Sequence, residues 1–194
     1  MKKKIVFMGN SLVNGFPFGR TKSFPGVMRR KMKAAGQDIN IVNCGVNGES
    51  SVQMLRRFDT DVISRTPDYV FISCGVNDFI YRERGPREVF ENIETMSKMA
   101  ESAGIKVVLM TPPFVHEEMA TRIWLVGCGI DYAKVNTQIS ALRQLIIGSG
   151  REYFDLHAIY PECGEYLDGL HPTESGYEFI ADRLIQLLEE GLIK

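Results

Sequence analysis

Short apolar runs punctuate the chain at residues 5–8, 39–44, 69–74, 106–110 and 153–156, and most are continuous rather than alternating. A run that is apolar at nearly every position suits a strand covered on both faces, as in a parallel sheet. Between the runs, apolar positions recur every three or four residues. These helical stretches are 24–35, closed by Gly36; 52–65, closed by Pro67 with a break near Asp59; 86–103, closed by Gly104; 132–147, closed by Gly148; and 173–190. Within 86–103, Val89, Ile93, Met96 and Ala100 share one helix face. Strands alternating with helices of these lengths predict the α/β class, as a doubly wound three-layer α/β/α sandwich with about five parallel strands. Residues 1–194 read as a single domain, since the length fits one core and no linker, repeat or low-complexity tract divides it. In such a sheet, ligands bind beyond the carboxyl ends of the strands. That directs attention to Gly9-Asn10-Ser11, Gly45-Val46-Asn47-Gly48, Gly75-Val76-Asn77-Asp78, Thr111-Pro112-Pro113 and Asp168-Gly169-Leu170-His171.

Composition narrows the chemistry. With 23 Lys+Arg against 24 Asp+Glu the net charge is -1, so no overall field draws in nucleic acid or an anionic membrane. Hydrophobic residues at 44% and charged residues at 24% allow a core without disulfide staples. The four cysteines, Cys44, Cys74, Cys128 and Cys163, form no C-x-x-C pair and read as reduced thiols, which places the expected location in the cytoplasm. Cys44 and Cys74, at strand ends, read as small buried hydrophobes. The basic start, Met1 to Lys4, precedes an apolar run too short for a secretory signal, and no stretch approaches the ~20 apolar residues of a membrane span. Integral membrane association is therefore not expected, and a homo-oligomer is left open. The turn after the first strand, G-N-S-L-V-N-G at 9–15, has the glycines of neither a dinucleotide turn nor a phosphate loop. His116-Glu117-Glu118-Met119-Ala120 lacks the second histidine of a zinc-binding helix. Neither cofactor nor metal is expected.

Serine catalysis needs a hydroxyl, a neutral imidazole, a carboxylate that fixes the imidazole tautomer, and donors for an oxyanion. Ser11 follows the first strand, where a turn would expose its hydroxyl and N–H. Of the three histidines, His171 is best placed, in a turn that opens the last helix, with Asp168 three residues earlier. His157, two residues after Asp155, is the alternative base, without an evident geometry for that carboxylate to orient it. Each residue also has a plainer role. Ser11 alone suits a helix N-cap or turn, Gly45, Gly48 and Gly75 suit tight turns, and Asp168 with His171 could cap the last helix.

Four blocks in order shift that balance: Gly9-Asn10-Ser11-Leu12, residues 43–48 (N-C-G-V-N-G), Gly75-Val76-Asn77-Asp78, and Asp168-Gly169-Leu170-His171-Pro172. Together they resemble the SGNH hydrolase superfamily of GDSL-type lipases and esterases, and especially its lysophospholipase and acyl-thioesterase-like branch. The resemblance spans positions 9–172 and implies a flavodoxin-like sandwich. It implies Ser11 as nucleophile, His171 as base and Asp168 as its orienter. The implied oxyanion donors are the N–H groups of Ser11 and Gly48 and the side chain of Asn77. Asn10 departs from the aspartate usual in that family. Val13, where an α/β-hydrolase elbow has its second glycine, separates the two folds.

The expected activity is hydrolysis of a small acyl ester or thioester through an acyl-enzyme. Acyl transfer to an alcohol at the same site, and a non-catalytic binding module of the same fold, are the alternatives. Residues 111–131 form a long connection carrying Phe114, Met119, Ile123, Trp124, Leu125 and Val126. Long connections tend to wall binding sites, so Phe114 and Trp124, with Asn10 and Phe16 near Ser11, are candidate pocket residues. Packing of the domain or of a dimer contact is the equal alternative for the apolar ones.

Overall fold

Successive residues of the first strand part to opposite faces of a sheet: Ile5 and Phe7 enter one apolar cluster, Val6 and Met8 the other, and all four are fully buried. That double burial is why the run is apolar without alternation. The computed structural model describes residues 3–81, 84–124 and 129–192. In chain order the strands are β1 (Lys3–Gly9), β2 (Ile39–Gly45), β3 (Tyr69–Ser73), β4 (Lys106–Met110) and β5 (Tyr153–Phe154). All pairings among them are parallel, in the order β2-β1-β3-β4-β5.

The helices are α1 (Ser11–Asn14), α2 (Phe24–Ala34), α3 (Ser51–Asp61), α4 (Val76–Tyr81), α5 (Pro86–Ser102), α6 (Glu117–Ile123), α7 (Tyr132–Ile147), α8 (Leu156–Ile159) and α9 (Glu174–Leu187). Helices α2 and α9 cover the Ile5–Phe7 face with Val27, Met28, Tyr177 and Ile180, while α3, α5 and α7 cover the other with Phe58, Met96 and Leu142. Phe7 stacks on Phe71 of β3 at 4.7 Å and meets Phe24 edge-on at 5.6 Å, packing the first layer onto the sheet. The result is the three-layer α/β/α sandwich with a parallel sheet.

The elements depart from the sequence pattern in four places. Helix α3 runs unbroken past Asp59 to Asp61, turns at Val62 into a 3₁₀ segment (Ile63–Arg65), and ends at Thr66 in the left-handed region before Pro67. Strand β5 stops at Phe154 because Asp155 turns away to pair with Arg143 at 2.6 Å and to cap α8. The last helix continues beyond Leu187 as a wider turn (Leu188–Leu192). The connection 111–131 is not wholly irregular: it contains α6, whose first turn carries Glu117 and Glu118 where the helix dipole favours acids. Leu125, Val126 and Cys128 lie outside the described residues. Among the described residues, no helix is long and apolar enough to cross a membrane.

Candidate active site

Strands β1 and β3 are neighbours from which the chain departs in opposite directions, to β2 and to β4. That reversal opens a crevice beyond their carboxyl ends. Ser11 stands at its floor as the first residue of α1. Asn10 caps this helix, its Oδ1 accepting from Leu12 N at 3.1 Å. An amide does this work as well as a carboxylate, so α1 forms without an acid at position 10. The turn sits tightly on its neighbours: a Cβ on Gly45 would lie 2.2 Å from the backbone N of Asn14.

Asp168, Gly169, Leu170 and His171 descend onto Ser11 from the opposite side of the crevice. An antiparallel bridge between Tyr166 and Pro172 and a 2.8 Å bond from Leu167 N to the His171 carbonyl close this segment into a narrow loop before α9. Tyr160 donates its hydroxyl to the Leu170 carbonyl. The loop also leans on α6, where His116 N donates to the Gly169 carbonyl at 2.7 Å and Trp124 Nε1 to the Asp168 carbonyl at 3.1 Å. Gly169 has φ +87, and a Cβ there would lie 2.7 Å from Ala120 N, so only glycine fits.

Three side chains distant in sequence thereby stand in series. His171 Nε2 is 2.8 Å from Ser11 Oγ, and His171 Nδ1 is 2.7 Å from Asp168 Oδ2. Asp168 Oδ1 also accepts from the backbone N–H of His171 at 2.7 Å and of Leu170 at 3.0 Å. Burial pushes the Asp168 carboxyl upward, but the hydrogen bonds and charge of His171, with the backbone donors, outweigh it and hold it below its ordinary 3.8. A carboxylate can only accept, so Nδ1 carries the imidazole proton and Nε2 is free to take one from Ser11. All three side chains are nearly buried.

Asn77, near the start of α4, and Gly48, after β2, line the same cleft. Asn77 Nδ2 donates to the Glu49 carbonyl at 2.9 Å. Gly48 has φ +74, which turns the chain back over the crevice. The N–H of Ser11, at the first position of α1, has no acceptor within the helix. The cleft measures about 160 Å³, and its walls are mostly apolar, including Phe16, Ile80, Val115, Trp124, Tyr132 and Leu170. Phe16 lies 4.8 Å and Trp124 6.1 Å from the His171 ring, centre to centre.

Of the residues expected at the site, Ser11, His171, Asp168, Gly48, Asn77, Phe16 and Trp124 come together. Asn10 and Phe114 do not line the cleft. Asn10 points into the cap of α1, and Phe114 packs edge-on against His157, Tyr160 and Tyr166 behind the loop. His157 is also away from the serine, its Nδ1 lying 3.2 Å from the Pro112 carbonyl, while Asp155 is taken by Arg143 and Thr111. The pattern gave no sign of Ile80, Tyr132 or Leu170 as cleft walls, because each arrives through helix or loop packing. Among the described residues, no group of three or more His, Cys, Asp and Glu side chains is placed to hold a metal.

Family membership, taken with an esterase relative, makes the chain a carboxylic-ester hydrolase. The chain belongs to the GDSL-like lipase/acylhydrolase family, whose sequence profile matches residues 7–179. It is 25% identical to an arylesterase of Vibrio mimicus over 195 aligned residues, covering 98% of this chain and 90% of the relative. Among solved structures, the lipase/acylhydrolase of Enterococcus faecalis aligns with a TM-score of 0.78 at 23% identity, covering 97% of this chain and 96% of that one. The psychrotrophic esterase EstA of a Pseudoalteromonas species aligns at 0.77 and 21% identity, covering 99% of this chain and 100% of the other. These structural likenesses carry the fold, and the family and the arylesterase relative carry the activity class, which removes the non-catalytic module from consideration.

Proposed function

We propose that the protein hydrolyses small acyl esters or thioesters through an acyl-enzyme on Ser11. The observation that carries this reading is the series Ser11 Oγ, His171 Nε2, His171 Nδ1, Asp168 Oδ2, with both gaps under 3 Å. His171 takes the hydroxyl proton as Ser11 Oγ bonds to the acyl carbonyl carbon, and Asp168 stabilises the imidazolium. The carbonyl oxygen becomes an oxyanion that accepts from Ser11 N, Gly48 N and Asn77 Nδ2. Collapse breaks the bond to the leaving group, which departs with the proton from Nε2. Water then repeats the sequence, releasing the acid and restoring Ser11.

Size supports a small substrate. A buried cavity of about 150 Å³ holds a benzene ring, and the cleft here, at about 160 Å³, is comparable. It fits a short acyl chain or an aryl group better than a long fatty chain. The arylesterase relative supports the same range. Free, buried Cys44, Cys74 and Cys163 support a reducing compartment such as the cytoplasm.

Intact-mass measurement after fluorophosphonate treatment tests the nucleophile. A single adduct mapping to Ser11 and lost in Ser11→Ala is expected. No adduct on the folded protein, or one retained in the variant, would refute the assignment. Adding an acceptor alcohol to the esterase assay distinguishes hydrolysis, which gives acid, from transfer, which gives a new ester.

A further inference from the structure

The guanidinium of Arg57, on α3, touches the segments that carry two of the three oxyanion donors, Ser11 and Gly48, and the side chain of Glu49, whose backbone meets the third. Arg57 Nε donates to both carboxylate oxygens of Glu49 at 2.8 Å, and its Nη2 donates to the Cys44 carbonyl at 2.9 Å and the Gly9 carbonyl at 3.3 Å. Nη1 pairs with Asp61. Gly9 ends β1 two residues before Ser11, Cys44 lies four residues before Gly48, and Glu49 follows Gly48 directly. The Glu49 carbonyl in turn accepts from Asn77 Nδ2. One of the two amide hydrogens of Asn77 is thereby committed, leaving the other for the cleft that Asn77 lines.

The Arg57 side chain is 19% exposed and that of Glu49 11%. A pair this shielded differs from a solvated surface bridge, which contributes little. Its planar fork of donors, fixed relative to one another, meets four acceptor groups on three segments at once, which a lysine ammonium cannot do. Neither side chain reaches the floor of the cleft.

We infer that Arg57 and Glu49 are positioning residues of the oxyanion hole: the guanidinium ties the ends of β1 and β2 to residue 49, and the backbone of residue 49 sets the Asn77 amide. This rests on the reading of Ser11, Gly48 and Asn77 given above. The pair acts on the transition state, where the oxyanion exists, and leaves ground-state binding alone.

The test measures kcat and KM with a short-acyl aryl ester for Arg57→Lys and Glu49→Gln, each alone and combined with Asn77→Ala, with thermal unfolding as a check on folding. A misplacement of about 1 Å costs roughly 10²-fold, so each single variant is expected to lose about 10- to 10²-fold in kcat with KM within about twofold. Residues acting through one group are not additive. In the Asn77→Ala background the share of the loss that runs through Asn77 is gone, so the further loss is expected to be smaller than in the parent background. Should Arg57→Lys fail to fold, Glu49→Gln, which keeps shape and loses only charge, carries the same comparison. Additive losses in the two backgrounds, or unchanged kcat in folded single variants, would overturn this inference alone. A folded Asn77→Ala enzyme with undiminished kcat would overturn the oxyanion reading and this inference with it.

Discussion

Replacing Gly169 by alanine asks whether the loop bearing Asp168 and His171 is held by its contact with α6. The perturbation has two parts. A non-glycine residue at φ +87 pays about 1–2 kcal/mol for the left-handed region. The new Cβ would lie 2.7 Å from Ala120 N and 2.8 Å from the His116 carbonyl, an overpacking that typically costs about 1–3 kcal/mol. The sum, about 2–5 kcal/mol, corresponds in a chain of this size to roughly 4–20 °C in Tm. Restoring ordinary separation, from 2.7 to 3.4 Å, moves the loop about 0.7 Å away from α6. That shift acts on a 2.8 Å contact between His171 and Ser11 and is expected to lower kcat by roughly 10- to 10²-fold. Gly150→Ala is the control, because Gly150 has φ +76 but nothing within 4 Å of a Cβ. It should lose only the conformational part, about 1–2 kcal/mol, and keep full activity. Tm by differential scanning calorimetry and kcat on an aryl ester read both quantities. If Gly169→Ala is no less stable than Gly150→Ala and turns over normally, α6 does not hold the loop.

Two further outcomes are expected. Trp124→Ala removes a wall of the cleft and should raise kcat/KM for an eight-carbon acyl ester relative to a four-carbon one by at least about tenfold, since each accommodated methylene contributes about 1–3 kcal/mol; an unchanged ratio would show that Trp124 does not limit chain length. The Asp155 carboxyl, pushed up by burial but held below its ordinary 3.8 overall by Arg143 and Thr111, and the similarly depressed Asp168, contribute stability present above that value and lost as pH falls through their lowered folded values. Tm should therefore fall with acid below about pH 4, and Asp155→Asn should flatten that fall; an identical slope in both proteins would contradict the assignment.

Much of the architecture was legible because burial on both faces leaves a direct trace, as in Val70, Phe71 and Ile72. Amphipathic α5 and its stop at Gly104 were equally plain. Helix α6 was not, because its Glu117–Ile123 stretch is only seven residues long and buries only Ala120. What stabilises it lies elsewhere in the chain, in the loop at Gly169 and in Asn136 of α7, which brackets Val115 with two 2.8 Å bonds. The same reason misdirected Phe114: an aromatic in a loop can face the cleft or the core, and three distant rings decide which. For Ser11, Asp168 and His171, motif order sufficed to nominate them, while their spacing came only with the fold. The Glu49–Arg57 pair went unnoticed since eight residues along a chain do not disclose that one side chain reaches across two strand ends.

Ser11 and His171 lie 160 positions apart, and the contact between them spans nearly the whole chain. During synthesis the hydroxyl therefore emerges from the ribosome long before its base. The loop at 168–171 is anchored just before α9, which docks on α2 through pairs such as Lys31 with Asp182. Until that helix is made and seated, the crevice holds a serine without an imidazole. On the proposed mechanism, esterase activity is therefore expected only once the loop at 168–171 is seated over Ser11.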